Sequence, residues 1–179
     1  MSLANIRVHN IFLKSLVLNK LKSREIKEIC KLKNCEWKFG LISQYKWFKD
    51  NIKKNDIHNL LYLNSKLIGY TLLRKRTCII NNSSKKSRYL LLDTIIIDKK
   101  FRREKLSKLL MNFNNLVIKK SKLSAFLICG NQFIDFYKKF DWRKISQKHL
   151  KIKDYDFSSN GMTYNESSAT KSYIFYTKK

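Results

Sequence analysis

The spacing of hydrophobic residues divides the first part of the chain into a strand and two helices. Ile11–Leu18 alternates as a strand does, and residues 1 to 9 before it are expected to be a loose end. Apolar residues then recur every three or four positions after Ser23, which predicts a helix that this serine caps. A second helix is predicted over Gln44–Ile52.

The spacing then changes to the period of two that is typical of strands. His58–Leu63 and Lys66–Arg76 lie on either side of Asn64 and Ser65, which predicts a hairpin. Asn81–Ser87 is a polar loop. Arg88–Ile97 is the most strand-like run of the chain, and its apolar character fits a central strand that is covered on both faces.

The helical period returns over Lys105–Lys119 and is followed by a buried strand, Leu123–Cys129. A short helix is predicted over Asp135–Lys139, and the rest of the chain is extended and ends in a strand over Ser172–Thr177. This order predicts an α/β (α+β) fold that contains a central β-α-β unit.

The composition fits one folded domain over residues 1–179, of which 44% are hydrophobic. No apolar run approaches 18 residues and the start lacks the pattern of a signal peptide, so we expect a cytoplasmic protein with no membrane partner. The four cysteines form no Cys-x-x-Cys pair and lie far from the three histidines in sequence. We therefore expect reduced, mostly buried thiols and no metal site.

The net charge of +26 by itself suggests an anionic partner such as a nucleic acid. The excess consists of 31 lysines against 8 arginines, and the lysines are spread along the whole chain. Recognition of RNA more often uses arginine together with exposed aromatic rings. We therefore interpret most of the charge as solvated surface and expect no specific nucleic-acid partner.

Two segments carry candidate chemistry. In the first, Arg102 and Arg103 precede a predicted helix whose unpaired N-terminal amides favour an anion, although an ordinary basic loop would read the same way. In the second, Phe136–Trp142 follows Asn131 at the end of a predicted strand, where ligands of α/β proteins often bind. For Phe136 and Phe140 themselves we prefer a role as core aromatics.

The two segments together resemble the GNAT superfamily of N-acetyltransferases. Arg102–Ser107 is similar to the Arg/Gln-x-x-Gly-x-Gly/Ala turn of that family, with Lys105 and Ser107 in place of the two glycines. Phe136–Trp142 is similar to its Phe-Tyr-x-x-x-Gly-Phe/Trp helix, with Asp141 in place of the glycine. Upstream, the Ile68-Gly69 pair resembles an early hairpin strand of the family, and the resemblance covers roughly residues 57–145.

The resemblance implies a mixed central β-sheet flanked by helices, acetyl-CoA as acyl donor, and a role for each matching residue. Tyr137 would protonate the departing thiolate, and Asn131 would bond to the cofactor arm or help to order the turn. The backbone of the central strand would bind the pantetheine arm and the turn would hold the pyrophosphate. These cofactor-binding positions are Ile95, Ile96, Ile97, Arg102, Arg103, Glu104, Lys105, Leu106, Ser107 and Lys108.

Asp93 is the candidate general base because it is the lone acid in the apolar central strand, where burial would raise its pKa. The alternative is an acid that pairs with a nearby lysine or arginine. Trp37, Tyr45 and Trp47 are expected to be buried between helices, although the family's acceptor cleft lies in that region.

The implied activity is direct transfer of an acetyl group to an amine of a small-molecule acceptor, with an amino sugar or a nucleotide sugar as candidates. Polar groups that would meet such an acceptor are Asp154, Tyr155, Asp156, Asn160 and Tyr164. Two other classes stay open: a degenerate CoA-binding protein without catalysis, suggested by the altered turn, and a basic nucleic-acid-binding protein. Both a monomer and a homodimer are compatible with the sequence.

Overall fold

A computed structural model describes residues 4–8, 10–81, 84–153, 160–165 and 173–176. Over these residues the chain forms ten strands and four α-helices. The strands are β1 (Ala4–Val8), β2 (Ile11–Val17), β3 (Ile57–Leu63), β4 (Lys66–Ile80), β5 (Lys86–Ile97), β6 (Ala125–Cys129), β7 (Arg143–Lys144), β8 (Leu150–Lys153), β9 (Asn160–Tyr164) and β10 (Tyr173–Tyr176). The helices are α1 (Ser23–Glu36), α2 (Leu41–Asn51), α3 (Leu106–Ser121) and α4 (Ile134–Lys138).

Hydrogen bonds join the strands in the order β1-β2-β3-β4-β5-β6-β9-β7, and β10 pairs with β4 and β8. The strands β5 and β6 run parallel and α3 connects them, whereas β6 and β9 are antiparallel. The sheet is therefore mixed. The predicted α/β (α+β) fold with a β-α-β unit is confirmed.

The chain divides into two compact units, each built from two stretches of sequence. The first unit comprises Met1–Arg74 and Thr94–Val117, and the second comprises Lys75–Asp93 and Ile118–Lys179. The strands β4 and β5 each contribute residues to both units. That residues 1–179 act as one domain stays a prediction.

In the first unit, β1 to β4 pair as an antiparallel series. The strand β1 forms where the sequence predicted a loose end, because its backbone pairs with β2 from Ala4 opposite Ser15 to Val8 opposite Ile11. Helices α1 and α2 pack their apolar faces into one core with these strands. The fully buried part of that core is Ile29, Cys30, Leu32, Phe48, Ile52, Leu60, Tyr62, Leu67, Tyr70, Leu72 and Ile96.

The start of α1 differs in detail from the prediction. Ser23 is the first helical residue and not the cap. The carboxylate of Glu25 instead turns back and accepts a hydrogen bond from the backbone N–H of Lys22 at 2.8 Å. An acid in the first turn satisfies an amide that the helix itself leaves unpaired.

In the second unit, β6 pairs with β9 along its whole length, from Ala125 opposite Tyr164 to Cys129 opposite Asn160. Side chains pack directly over the backbone of Gly161, where a Cβ atom would lie 2.5 Å from Cδ2 of Leu150 and 2.8 Å from the ring of Phe126. The core beside them consists of Cys78, Tyr89, Leu91, Phe126, Ile145, Leu150, Ile152 and Tyr173. The last of these belongs to β10; Ser172 and Thr177 of the predicted final strand lie outside the described residues.

Candidate functional site

The parallel ladder between β5 and β6 is short. Leu90 pairs with Ala125 and Leu91 with Phe126, and the ladder ends there although both strands continue. Within the described chain, Leu127–Cys129 pair only with β9, on the other side of β6. The backbone groups at this end of β6 therefore do not pair with β5, and an extended ligand could hydrogen-bond to strand edges of this kind.

The carboxyl end of β5 is held firmly against β4. A register shift in β4 falls beside Leu61, and the carbonyl of Ile68 accepts a hydrogen bond from the N–H of Asp98 at 2.7 Å. Gly69 lets the strands approach, since a Cβ atom there would lie 2.9 Å from Cδ1 of Ile97. The glycine that the sequence associated with an early hairpin strand thus lies where the side chain of Ile97, near the end of β5, packs directly on β4.

The turn after β5 takes left-handed backbone at the position of the family's first glycine. Lys105 has φ of +57° and Arg103 has φ of +72°. Such a conformation costs a residue with a Cβ atom about 1 kcal/mol. Lysine therefore occupies the glycine position while retaining the conformation for which glycine is favoured.

Helix α3 begins at the next residue, and its first amides are positioned to bind an anion. The carbonyl of Lys105 accepts the N–H of Lys108 at 3.0 Å. The amides of Leu106 and Ser107 precede that bond and have no acceptor within the helix. Arg103, Glu104, Lys105 and Lys108 are exposed, Ser107 is half-buried and the side chain of Leu106 is buried.

Arg102 is held by the protein itself. One of its Nη atoms makes a close ion pair with the carboxylate of Glu36, at the end of α1, and its Nε donates to the carbonyl of Ile97 at 3.2 Å. Both partners belong to the first unit. Ile97 and Ile96 are buried and Ile95 is half-buried, so any role of these isoleucines in binding would fall to their backbone.

Replacing Lys105 by glycine should stabilise the folded chain by about 1 kcal/mol relative to Lys105→Ala. The alanine variant is the matched control, because it removes the same charge but keeps the Cβ atom that crowds a left-handed residue. Urea unfolding measures the difference. Equal midpoints for the two variants would show that position 105 does not hold a positive φ in solution.

In the second unit, the backbone around α4 folds back on Tyr137. Its carbonyl accepts the N–H groups of Phe140 at 2.9 Å and Trp142 at 3.3 Å. Asp141 takes φ of +64°, again at a family glycine. Trp142 is 1% exposed and stacks on Tyr164 with ring centroids 5.5 Å apart.

Tyr137 is a nearly buried phenol. Its ring lies 5.1 Å from that of Phe136 and 6.1 Å from that of Trp142. Burial, with a smaller contribution from nearby Cys129, raises the pKa of Tyr137 to about 12. The phenol is therefore protonated at neutral pH and can donate a proton.

Cys129 lies close to this phenol but is a packing residue. Its Sγ is 3.8 Å from Sδ of Met162, and burial raises the pKa of the thiol, only partly opposed by Lys144. A thiol with a raised pKa is a poor nucleophile at neutral pH. Cys30 and Cys78 are buried as well and Cys35 is exposed, so the thiols are mostly buried, as the sequence predicted.

Asn131 lies on the turn that follows β6 and is tied to β9. Its side-chain carbonyl accepts a hydrogen bond at 2.8 Å from Nδ2 of Asn160, which also lies 3.5 Å from the carbonyl of Cys129. Of the two roles predicted for Asn131, this contact corresponds to ordering the turn. Asn160 and Tyr164, suggested as acceptor contacts, are buried; Asp154, Tyr155 and Asp156 lie outside the described residues.

Asp93 is exposed, which corrects the prediction that it is buried. Leu92 and Thr94 on either side of it are buried at 5% exposure, so β5 is covered on one face only at this point. The desolvation on which its assignment as a base depended is therefore absent. The strand is covered on both faces over Tyr89–Leu92 and again at Ile96 and Ile97, on either side of this exposed position.

Among the described residues, no group of three or more His, Cys, Asp or Glu side chains is arranged to hold a metal ion. None of the helices in the described part of the chain is long and apolar enough to span a membrane.

Comparison with known proteins finds similar structures but no similar sequence. No family model matches the sequence, and no curated protein matches it significantly. The structure is similar to that of Escherichia coli ElaA, with a TM-score of 0.62 at 16% identity over 86% of this chain and 98% of that one. It is similar to the GNAT family N-acetyltransferase YhbS from Escherichia coli in complex with CoA, with a TM-score of 0.64 at 11% identity over 90% and 87%.

A third similar structure is the ribosomal-protein-S18-alanine N-acetyltransferase from Escherichia coli, with a TM-score of 0.59 at 12% identity over 84% of this chain and 92% of that one. At these identities the likeness is one of fold. The chain therefore has the fold of the GNAT N-acetyltransferases, as the resemblance in sequence implied.

Proposed function

We propose that this chain is an acetyl-CoA-dependent N-acetyltransferase. The observation that carries the proposal is its likeness, over 90% of its length, to an N-acetyltransferase structure that contains CoA. Two local features also support it: the backbone at the end of β5 suits an extended ligand, and the first amides of α3 suit a phosphate.

The residues present fit acetyl-CoA. The backbone of Ile95–Ile97 would bind the pantetheine arm, and the amides of Leu106 and Ser107 would bind the pyrophosphate. Arg103, Lys105 and Lys108 are exposed and add positive charge, whereas Arg102 would position the turn through Glu36. When bound, acetyl-CoA supplies an activated thioester.

Two side chains are proposed to move protons. Tyr137 donates the proton of its phenol to the departing sulfur, and its pKa of about 12 keeps the phenol protonated at neutral pH before transfer. Asp93, being exposed, would accept the proton of the amine through water and not in a desolvated pocket. The raised pKa keeps the phenol of Tyr137 protonated, although it also makes the phenol a weaker acid.

The proposed acceptor is a small-molecule amine, and the acetyl group would pass to it directly. Amino sugars and nucleotide sugars are the first classes to test, because the chain after residue 150 is rich in amide, carboxylate and phenol groups. The neighbours give no guide to the acceptor, since one acts on an alanine of a ribosomal protein and another is an aminoglycoside 6'-N-acetyltransferase.

A CoA-binding protein without catalysis is the second candidate. It is favoured by the ion pair that occupies Arg102 and by the lysine at the first glycine position, both of which would weaken a phosphate site. A nucleic-acid-binding protein rests on the charge of +26 alone.

Acetyl-CoA at 100 times its dissociation constant should raise the free energy of unfolding by about 2.7 kcal/mol. The measurement is thermal or urea unfolding at moderate salt. ATP is the control, because it carries comparable phosphate charge to a chain of +26 but lacks the pantetheine arm. An equal shift with ATP, or none with acetyl-CoA, would contradict cofactor binding.

Release of free thiol during a screen of amines then distinguishes the enzyme from a silent CoA binder. If nucleic acid binds, binding that falls steeply with salt and shows no sequence preference identifies simple charge attraction.

A further inference from the structure

The turn between α1 and α2 exposes a cluster of large apolar side chains. Phe39 is 73% and Ile42 is 86% exposed, and Trp37, Leu41 and Tyr45 are each 37–40% exposed. We call these five residues the α1–α2 tip. The sequence predicted that Trp37 and Tyr45 pack between the helices, and their exposure corrects this.

The tip is not ordinary scatter of apolar residues over a surface. Of the six large hydrophobic residues that are exposed in the described chain, five lie within these nine positions and the sixth is Phe133. Isolated exposed hydrophobic residues are common, but a contiguous group marks an interaction surface. Covering the tip with a partner would therefore lower the free energy by removing apolar surface from water.

The turn at the centre of the tip is open to solvent and tied to α1. Gly40 in this turn has φ of +85°, and no atom would come within 4 Å of a Cβ atom placed there. Its N–H donates to Oδ1 of Asn34 at 2.8 Å, which ties the turn back to α1. On α2, Gln44 and Phe48 are buried and anchor that helix in the protein. Exposed apolar side chains on a turn that is tied to its helix suit insertion into a soft partner.

Basic residues surround the tip. Lys31, Lys38, Lys46 and Lys49 are all exposed, on α1, on the turn and along the outer face of α2. The acids nearest to the tip in sequence are Glu36, which is engaged in its ion pair with Arg102, and Asp50, which is exposed near the end of α2. The surface is thus apolar at its apex and cationic around it.

We propose that the α1–α2 tip docks on an anionic lipid surface. Phe39 and Ile42 enter the boundary between headgroups and acyl chains, and Trp37 and Tyr45 lie at headgroup level, where amphipathic rings are favoured. The surrounding lysines contact lipid phosphates. A second copy of the chain is a poor partner, because each copy carries a charge of +26.

This proposal goes beyond the acetyltransferase activity and does not depend on it. The expectation of no membrane partner came from the absence of an apolar run long enough to span a bilayer. Contact with one surface needs no span, only exposed apolar side chains and complementary charge. The tip supplies both.

Co-sedimentation with vesicles tests the proposal. The protein should sediment with vesicles of phosphatidylcholine mixed with phosphatidylglycerol and much less with phosphatidylcholine alone. The double variant Phe39→Ser, Ile42→Ser should bind the mixed vesicles at least about tenfold more weakly, because two inserted side chains are lost. Phe133→Ser, equally an exposed aromatic change, is the matched control and should bind as the unchanged protein does.

Trp emission gives a second readout, since insertion should shift the spectrum to shorter wavelength and Trp37→Phe should remove the shift. Equal vesicle binding by the double variant would show charge attraction only and would overturn the proposal. So would the absence of vesicle binding. Self-association that the double variant abolishes would assign the tip to a second copy instead. Unchanged unfolding midpoints verify that the substitutions, all at exposed positions, leave the fold intact.

Discussion

Replacing Tyr137 by phenylalanine should lower the rate of acetyl transfer by about 10²- to 10⁴-fold and leave the affinity for acetyl-CoA nearly unchanged. The change removes one hydroxyl from a ring that is buried and fixed between Phe136 and Trp142. The ring still fills its place, so the backbone around α4 stays as it is. What is lost is the proton for the departing sulfur, which the raised pKa of about 12 keeps on the phenol at neutral pH.

Tyr164→Phe is the matched control, because Tyr164 is also buried, belongs to the same unit and stacks on the other neighbour of Tyr137, Trp142. It should retain turnover. Normal turnover by Tyr137→Phe would remove the phenol from the mechanism, and a parallel loss in both variants would point to packing.

In the same assay, Asp93→Asn tests the proposed base: unaltered rates from low to high pH would exclude it.

Lowering the pH from 6.5 to 5 should destabilise the protein by about 2 kcal/mol through one histidine. His58 is 0% exposed, and burial together with the charge of Lys33 lowers its pKa from 6.5 to about 3. The unfolded chain therefore binds a proton between these values that the folded chain does not. The stability is complete above pH 6.5 and is lost progressively as the pH falls towards 3.

His58→Gln should flatten this dependence, since glutamine stays neutral and can still bond to the hydroxyl of Tyr70, which lies 2.8 Å from Nδ1 of His58. His149→Gln, at a partly exposed histidine, should keep the steep dependence. Urea unfolding at a series of pH values gives the slopes. An identical slope for His58→Gln and the unchanged protein would mean that His58 is not buried in its neutral form.

Several features of the site were open to prediction because they depend on short stretches of chain. The sequence located the turn at Arg102–Ser107 and the helix with Tyr137, and it identified Lys105 and Asp141 as residues in glycine positions. The structure gives both residues a positive φ. A turn of fixed length between a strand and a helix needs a particular backbone, whichever residue supplies it.

Other features were missed because they depend on residues far apart in sequence. Glu36 and Arg102 are 66 positions apart, and Asn131 and Asn160 are 29 apart. Nothing in either local pattern indicates its partner. From the sequence, Arg102 was therefore predicted to bind phosphate and Asn160 to contact an acceptor.

From Ile11 to Lys138 the sequence by itself determined the order and type of the main elements and the local motifs, because hydrophobic period and turn chemistry are properties of neighbouring residues. It missed β1, whose formation depends on pairing with β2. The tertiary structure alone decided which faces are covered. Asp93 sits in an apolar run and is nonetheless exposed, and Trp37 and Tyr45 sit in a helical pattern and are exposed as well. Burial depends on which elements pack against a segment, and that is settled only when distant parts of the chain meet.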